Sequence, residues 1–334
     1  MTIRVHIVDD SSFVRDILRD VLNGFSDIEV VGEARDGQEA QDMLDSLKPS
    51  VVTMDLLMPM VSGAEASEMI MRRRPTPIVL LADSDSSEAL YRTALEVGAV
   101  GSFVKPRGGF DEEQTEKLVH LIRQAAKTKP ARTCTPAHGV QMDDLNLAST
   151  KVLGIVASTV GPQTLAKFLG RLSSSLRIPV CLVQHTASGF SEALVSWLAQ
   201  ECSMEVELAK ADTVLRPGVV AVAPDELHFE VAEGGIVKLS TGPTVHSLRP
   251  SGDMLLASLA KVYGTKSTGL VCTGMGNDGS EGLHQVHLAG GRCLVQEPSA
   301  AVLGSMPTSA SKRVPACKRV DLSRLAEILN RDLA

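Results

Sequence analysis

Several polar side chains that could carry out chemistry follow directly after apolar, strand-like runs. In the first third of the sequence, Asp9 and Asp10 end the first run, Asp55 ends the third and Lys105 ends the fifth. The carboxyl ends of parallel strands meet at one edge of a sheet, so we expect these side chains to lie together. Crowded carboxylates repel one another unless a divalent cation joins them, and oxygen ligands suit magnesium. The set predicts a carboxylate that accepts a phosphoryl group, with the lysine neutralising the charge that develops.

Each acid alone has a simpler interpretation. Asp9 and Asp10 could cap a helix that begins near Ser12, and Asp55 could open a turn before Pro59. For any single residue the simpler interpretation is favoured. Acids at two strand ends together with a lysine at a third favour the phosphoacceptor site.

A serine in the second half of the sequence occupies a similar position. Ser158 follows the apolar run 151–157 and precedes a Thr-Val-Gly-Pro turn into a helix. Its hydroxyl would be exposed at the carboxyl edge of a sheet, near a positive helix end that favours an alkoxide or an oxyanion. The alternative is a plain helix cap. The segment is not a Gly-x-Ser-x-Gly elbow, because Val156 occupies the first glycine position.

Two further residues could complete a serine hydrolase site. His185 follows the apolar run that ends at Gln184, and it could act as the general base for Ser158. Asp278 lies in Thr-Gly-Met-Gly-Asn-Asp-Gly, where it could orient the imidazole. A structural histidine and a helix cap are the alternatives for these two residues.

Two other histidines invite a metal hypothesis. His284 and His287 are three residues apart on the predicted helix that follows Asp278. Without a matching acid to complete a metal site, we interpret them as a solvated or packed helix face.

Composition excludes several classes of protein. Apolar residues make up 44% of the 334 residues and charged residues 22%, as in a globular protein, and no apolar run is long enough to span a membrane. A net charge of −7 with 3% aromatic residues disfavours a nucleic-acid surface, so we expect a protein partner. The six cysteines form no Cys-x-x-Cys pair, which disfavours a zinc site. The N-terminus lacks an export signal, so we expect a cytoplasmic protein.

The elements that position these residues form two α/β series. Strand-like runs alternate with amphipathic stretches from residue 3 to 126, and a second series begins at Lys151. Both series predict doubly wound parallel sheets. The intervening polar stretch predicts a linker. The predicted organisation is a first domain at 1–125, a linker at 126–148 and a second domain at 149–334.

The first domain resembles response-regulator receiver domains through Val-Asp-Asp, Met-Asp-Leu-Leu-Met-Pro and Val-Lys-Pro. The resemblance implies a flavodoxin-like fold in which a histidine kinase phosphorylates Asp55 and Lys105 stabilises the phosphoryl group. It also implies a magnesium ion held by Asp10, Asp55 and the carbonyl of Leu57, with help from Asp9.

Two positions depart from the usual receiver pattern. Ala82 stands where receivers usually place serine or threonine, and Ser102 stands where they usually place an aromatic residue, although Phe103 follows it. These departures leave open a rival hypothesis, in which the receiver is a passive module and does not control the second domain.

The second domain resembles the methylesterase domain of chemotaxis protein-glutamate methylesterases. The motifs are Ala-Ser-Thr, Val-Gln-His, Leu-Arg-Pro-Ser, Thr-Gly-Met-Gly-Asn-Asp-Gly and Ser-Met-Pro-Thr-Ser-Ala. The resemblance implies a Rossmann-like sheet with Ser158 as nucleophile, His185 as base and Asp278 as its orienting partner. The backbone N–H of Met275 would contribute to the oxyanion hole, and the esterase would need no cofactor.

The resemblance also implies the reaction. We expect phosphorylation-regulated hydrolysis of glutamate γ-methyl esters on a chemoreceptor, and deamidation of receptor glutamines. Three departures, Val160, Thr186 and Gly252, would line the entrance and affect substrate fit. The rival from another class is a non-enzymatic adaptor that binds the receptor under control of the receiver.

Overall fold

The computed structural model describes residues 2–83, 87–106, 109–128, 142, 145–158, 160–186 and 189–334, and only the backbone at 87–89. The chain divides into two compact units, Met1–Thr133 and Cys134–Ala334. The division falls inside the predicted linker 126–148 without fixing either of its ends, so the domain boundaries stay predictions. Cys134 and most of that linker lie outside the described residues.

Strands and helices alternate through the first unit. In order they are β1 (Ile3–Val8), α1 (Ser12–Asn23), β2 (Ile28–Ala34), α2 (Gly37–Leu47), β3 (Val51–Asp55), α3 (Gly63–Arg73), β4 (Ile78–Asp83), α4 (Ser87–Val97), β5 (Gly101–Lys105) and α5 (Glu112–Ala126). Helix starts follow the capping residues of the sequence: the side chains of Ser62 and Asp111 accept hydrogen bonds from backbone N–H groups in capping boxes.

The strands of the first unit pair in parallel in the order β2-β1-β3-β4-β5. One face of the sheet packs against a core that includes Leu44, Ile70 and Leu90, and the other face against a core with Leu18 and Leu118. Burial on both faces explains why the strands read as nearly continuous apolar runs. This strand order is the flavodoxin-like one, which confirms the predicted fold. The order reverses between β1 and β3, where a crevice opens at the carboxyl edge.

The second unit contains a longer series of elements. They are β6 (Val152–Ala157), α6 (Gly161–Leu169), β7 (Val180–Gln184), α7 (Ser191–Glu201), β8 (Glu205–Leu208), β9 (Val219–Val222), β10 (His228–Ala232), β11 (Ile236–Ser240), α8 (Gly252–Tyr263), β12 (Ser267–Val271), α9 (Ser280–Leu288), β13 (Arg292–Gln296), α10 (Ser305–Arg313), β14 (Lys318–Val320) and α11 (Leu322–Leu333).

A parallel sheet with the order β14-β13-β12-β6-β7-β9-β8 forms the centre of the second unit. The strands β10 and β11 form a separate antiparallel hairpin that turns through Glu233–Gly235. The doubly wound prediction is confirmed. The chain runs outward from β6 in one direction and from β12 in the other, so the switch point lies between these two strands.

Four elements of the second unit differ from the sequence prediction. The apolar run 269–273 predicts a strand that ends at Thr273, whereas β12 ends at Val271. The segment after Ser158 predicts a helix that reaches Leu172, whereas α6 ends at Leu169. The helix α10 and the short strand β14 were not predicted. The sequence of α10 lacks an apolar helical periodicity, because Ser-Met-Pro-Thr-Ser-Ala-Ser-Lys-Arg is mostly polar and contains a proline. Only three of its side chains are buried, those of Met306, Pro307 and Ala310.

The residues before β6 pack onto the second unit. Leu145 and Leu147 are buried, and the backbone N–H of Leu147 donates to Asp332 Oδ2 at 2.8 Å. Arg292 Nε donates to the carbonyl of Asn146 at 2.8 Å. The end of the predicted linker is therefore attached to this unit. Among the described helices of the chain, none combines the length and apolarity that a membrane crossing requires.

Candidate active site and phosphoacceptor site

Ser158 lies at the switch point of the second sheet. It follows β6, and its backbone N–H donates to the carbonyl of Thr273, which follows β12, at 3.1 Å. Its own carbonyl accepts from the backbone N–H of Gly161 at 2.7 Å, which forms the tight turn into α6. The residue is 9% exposed, so its hydroxyl sits in a crevice rather than on an open surface. This is the edge at which open α/β sheets bind ligands.

The glycine-containing loop after β12 passes directly over Ser158. A Cβ atom added to Gly274 would lie 2.7 Å from Ser158 Cβ and 2.1 Å from Met306 Sδ, so only glycine fits there. The backbone N–H of Gly274 donates to Leu303. Within the part of the chain that the structure describes, no acceptor is recorded for the next N–H, that of Met275. That donor is free to bind an oxyanion near Ser158.

His185 and Asp278 are hydrogen-bonded. His185 follows β7, whose last residue Gln184 is in register with Ala157, so His185 and Ser158 are neighbours on adjacent strand ends. His185 Nε2 lies 2.8 Å from Asp278 Oδ2. Nδ1 of the same ring is buried and has no hydrogen-bond partner among the described residues. The ring therefore makes no hydrogen bond to Ser158 Oγ through this nitrogen. The nitrogen opposite the carboxylate is thus available to accept a proton.

Asp278 is held by four donors. Ser251 Oγ donates to Oδ1 at 2.8 Å, the N–H of Gly252 to Oδ2 at 2.6 Å and the N–H of Asp253 to Oδ1 at 3.0 Å, while His185 provides the fourth. Burial alone would raise the pKa of Asp278, but these donors outweigh it and lower the pKa to about 2. The carboxylate is therefore ionised at neutral pH, at the positive end of α8.

Gln184 connects the two strand ends. Its Nε2 donates to the carbonyl of Ser158 and to that of His185, each at 2.8 Å. The sequence predicts no role for this residue. The feature of the sequence that could have indicated a role is a polar residue at the end of an otherwise apolar run. In the structure Gln184 is only 3% exposed. Ser251 and Asp253 were also missed, because their contacts with Asp278 join segments that are 25 or more residues apart.

The departures from the esterase pattern have different surroundings. Val160 adopts a φ of 59° as the residue before α6, a left-handed conformation that β-branched residues rarely adopt. Thr186 Oγ1 donates to Asp225 Oδ1 at 2.9 Å, and Asp225 Oδ2 also accepts from the N–H groups of Gly189 and Ser191. Asp225 thus fixes the described part of the loop after His185. The effect of Val160, Thr186 and Gly252 on substrate fit stays a prediction.

The acids of the first unit lie at its own switch point. Asp9 and Asp55 are buried, and Lys105 Nζ contacts both, at 3.2 Å from Asp9 Oδ2 and 2.7 Å from Asp55 Oδ1. A third carboxylate, Asp83 on β4, lies 3.7 Å from the same ammonium group but is mostly exposed. Burial raises the pKa of Asp55 to about 6, although Lys105 opposes the shift. Burial likewise raises the pKa of Asp9, although the positive charge of Lys105 opposes this rise.

The first unit also contains a set of oxygen ligands suited to magnesium. One carboxylate oxygen from each of Asp9, Asp10 and Asp55 lies within 4.8 Å of the others. Carboxylate oxygens in a group of this size are the donors that Mg²⁺ accepts, and a cation would relieve the burial of Asp9 and Asp55. Among the described residues no such group forms around His284 or His287; His284 Nδ1 lies 3.4 Å from Glu281.

The two receiver departures lie on one face of the sheet. Ala82 ends the apolar part of β4 and is buried, and Ser102 pairs with Leu80 on the side of α3 and α4. Phe103 points to the opposite side, where its ring stacks on Phe110 with centroids 5.9 Å apart. Phe103 therefore does not replace the aromatic residue that receivers usually place at position 102.

Known proteins resemble both units. Residues 153–329 match the family described as CheB methylesterase, and residues 5–120 match the response regulator receiver domain. Over 319 residues, 92% of each sequence, the chain is 37% identical to a protein of Anaeromyxobacter dehalogenans named protein-glutamate methylesterase/protein-glutamine glutaminase 3. It is 32% identical to the protein-glutamate methylesterase/protein-glutamine glutaminase of Pyrococcus abyssi, across 92% of this chain and 87% of that one.

A solved structure agrees with the second unit. The CheB methylesterase catalytic domain of Thermotoga maritima matches with a TM-score of 0.52 and 28% sequence identity, and the match covers 55% of this chain and 98% of that one. The sequence relatives are covered over most of their length, so the similarity spans both units.

Proposed function

The chain belongs to the CheB methylesterase family and carries a receiver domain, and we propose that it hydrolyses glutamate γ-methyl esters of chemoreceptors under control of phosphorylation. The observation that supports this most directly is the 2.8 Å hydrogen bond between His185 Nε2 and Asp278 Oδ2 beside Ser158. A serine, a histidine and a carboxylate at one sheet edge are the groups that acyl transfer requires.

In the proposed reaction Ser158 Oγ attacks the ester carbonyl while Nδ1 of His185 accepts the hydroxyl proton. Asp278, already ionised, stabilises the imidazolium through Nε2. The backbone N–H of Met275 binds the oxyanion. His185 then returns the proton to the methoxy group, which leaves as methanol, and the acyl-serine remains. Water, deprotonated by the same histidine, attacks the acyl-serine, the bond to Ser158 Oγ breaks with return of the proton from His185 to that oxygen, and the glutamate side chain is released.

The same machinery accounts for deamidation. The carbonyl carbon of a glutamine side chain lies the same number of bonds from the backbone as that of the glutamate ester, and its leaving group, ammonia, takes its proton from His185 in the same way. The glutaminase named in the relatives therefore needs no further catalytic group in this chain.

For the first unit, we propose that Asp55 accepts a phosphoryl group from a histidine kinase. Asp9, Asp10 and Asp55 would hold a magnesium ion, with the carbonyl of Leu57. When bound, such an ion neutralises charge on the phosphoryl oxygens. Lys105, 2.7 Å from Asp55 Oδ1, supplies positive charge from the protein itself. We expect the protein to act in the cytoplasm, where the kinase and the methylated receptor segments would be its partners.

Methanol release from methyl-labelled receptor membranes tests the proposal. Wild type and Ser158→Ala would be compared, each with and without a small-molecule phosphodonor and magnesium. Release that requires Ser158 and rises with the donor is the expected result, and Asp55→Ala should abolish the rise. Serine-dependent release that ignores the donor would instead indicate a passive receiver. No release from wild type, with receptor binding intact, would indicate an adaptor.

A further inference from the structure

A second carboxyl group lies directly behind Asp278. Asp253, in the first turn of α8, is 7% exposed, and its backbone N–H donates to Asp278 Oδ1 at 3.0 Å. Its Oδ1 accepts from the N–H of Gly282 on α9 at 2.7 Å. Its Oδ2 is buried and has no hydrogen-bond partner among the described residues. A buried carboxylate oxygen without a donor is unfavourable, so this group requires either a proton or a counter-charge.

A histidine approaches the unpaired oxygen. His246 Nε2 lies 3.4 Å from Asp253 Oδ2, and the imidazole is 46% exposed, so it can exchange protons with solvent. His246 and Ser247 have φ angles of 51° and 62°, in the left-handed region that few non-glycine residues adopt. Two hydrogen bonds between the backbones of Val245 and Leu248 close this turn. This turn therefore places His246 beside the carboxyl group of Asp253.

Few charges compete with this pair. Asp278 and His246 are the charged groups that act most strongly on Asp253, and α9 contributes the N–H of Gly282. The charged side chains of α9 and α10 near this point pair with one another: Glu281 of α9 pairs with His284 of the same helix and with Arg313 of α10. Burial raises the pKa of Asp253 to about 6, with a further rise from the Asp278 carboxylate and an opposing effect from His246.

We propose that Asp253 and His246 form a second ionisable pair that acts through Asp278, so that the esterase rate depends on the ionisation of Asp253. The inference rests on the proposed function. With Asp253 ionised, two negative charges stabilise the imidazolium that forms when His185 takes the proton of Ser158. Protonation of Asp253 removes one of them. Neither residue touches the reacting atoms, so both are positioning residues.

The pH dependence of kcat distinguishes this role from a structural one. Methanol release by the full chain would be measured from pH 5 to 8.5 for wild type, Asp253→Asn and His246→Asn. Asparagine keeps the shape of the carboxylate in the first variant and tolerates the left-handed backbone in the second. Asp253→Asn should lower kcat about 3- to 10-fold at pH 8 and remove one titration from the acid limb. His246→Asn should move that limb to higher pH, with a loss of about 2- to 5-fold at pH 6 and a smaller loss at pH 8.

Controls separate the possible outcomes. His284→Asn, which removes an imidazole paired with Glu281 on α9, should leave the acid limb where it is in wild type. Asp253→Asn should unfold at a temperature at least as high as wild type at pH 8, because the variant removes a buried charge. Acid limbs identical to wild type in both test variants, or a loss in Asp253→Asn that is equal at every pH, would overturn the inference while Ser158-dependent release upheld the esterase. Release that survives Ser158→Ala would overturn both.

Discussion

Gly274 and Ser158 approach so closely that a single added methyl group on the glycine would lie 2.7 Å from Ser158 Cβ. The loop after β12 can therefore bring its N–H groups to the serine only if this position has no side chain. Gly274→Ala should lower the esterase rate about 100-fold, since displacement of the loop withdraws the oxyanion donor next to it. Gly242→Ala is the matched control, because its added Cβ would make only ordinary contacts, the shortest at 3.7 Å. Steady-state methanol release would measure both, and equal rates would contradict the assignment of Met275.

The His185–Asp278 bond predicts both activity and acid stability. Asp278→Asn should reduce kcat about 10³- to 10⁴-fold, because asparagine can neither hold the same ring tautomer nor stabilise an imidazolium.

The folded-state pKa of Asp278, about 2, lies below its ordinary value of 3.8. The stability it contributes, about 2 kcal/mol, is thus present above pH 4 and lost as pH falls through 2. Acid denaturation of wild type and Asp278→Asn would measure this contribution. A variant that loses as much stability as wild type between pH 4 and 2 would refute it.

The pKa of Asp55 is shifted in the direction opposite to that of Asp278, so its effect on stability has the opposite pH dependence. Its pKa is raised to about 6, so the carboxyl group favours the folded state most below pH 3.8, and that contribution is lost as pH rises through 6. Asp55→Asn should therefore stabilise the first unit by about 2 kcal/mol at pH 7.5 and by almost nothing at pH 4. Thermal unfolding of the full chain at both pH values tests this. Asp83→Asn removes a mostly exposed carboxylate near the same lysine and serves as the control, with little change expected.

Much of this arrangement could be predicted from the sequence. The apolar runs place Asp9, Asp55, Ser158 and His185 at strand ends, because parallel strands buried on both faces are continuous apolar segments with clear limits. The contacts of Asp278 with α8 could not be predicted, since hydrogen bonds between distant segments leave no local pattern. The helix α10 was missed for a related reason: packing on the unit, rather than its own periodicity, stabilises it.

The left-handed conformation of Val160 predicts that replacing it with glycine increases stability. At a φ of 59° its Cβ lies close to the following carbonyl, which costs about 1–2 kcal/mol relative to a residue without a Cβ. Val160→Gly should therefore stabilise the second unit by about 1 kcal/mol, after allowance for the greater freedom of glycine in the unfolded chain. Val160→Ala keeps the Cβ and should gain less. Urea unfolding would rank the three proteins. A glycine variant less stable than wild type would show that the valine side chain contributes more by packing than it loses by strain.

The attachment of residues 145–147 predicts where the second unit can be separated. A fragment 149–334 lacks the buried side chains of Leu145 and Leu147 and the hydrogen bond to Asp332. It should be less stable than a fragment 142–334 by at least 2 kcal/mol. Urea unfolding of the two fragments would measure the difference. Within the longer fragment, Leu147→Ala should reproduce much of the loss, and equal stability of the two fragments would show that this segment is dispensable.

The crevice where strand order reverses occurs in both sheets of this chain, at β1 and β3 in the first and at β6 and β12 in the second. It arises from the winding of the chain and requires no particular side chain. A newly acquired reaction can therefore begin with substitutions in two or three loops while the buried strands stay as they are. The acid cluster around Asp55 and the loop over Ser158 show two different sets of residues at the same kind of crevice.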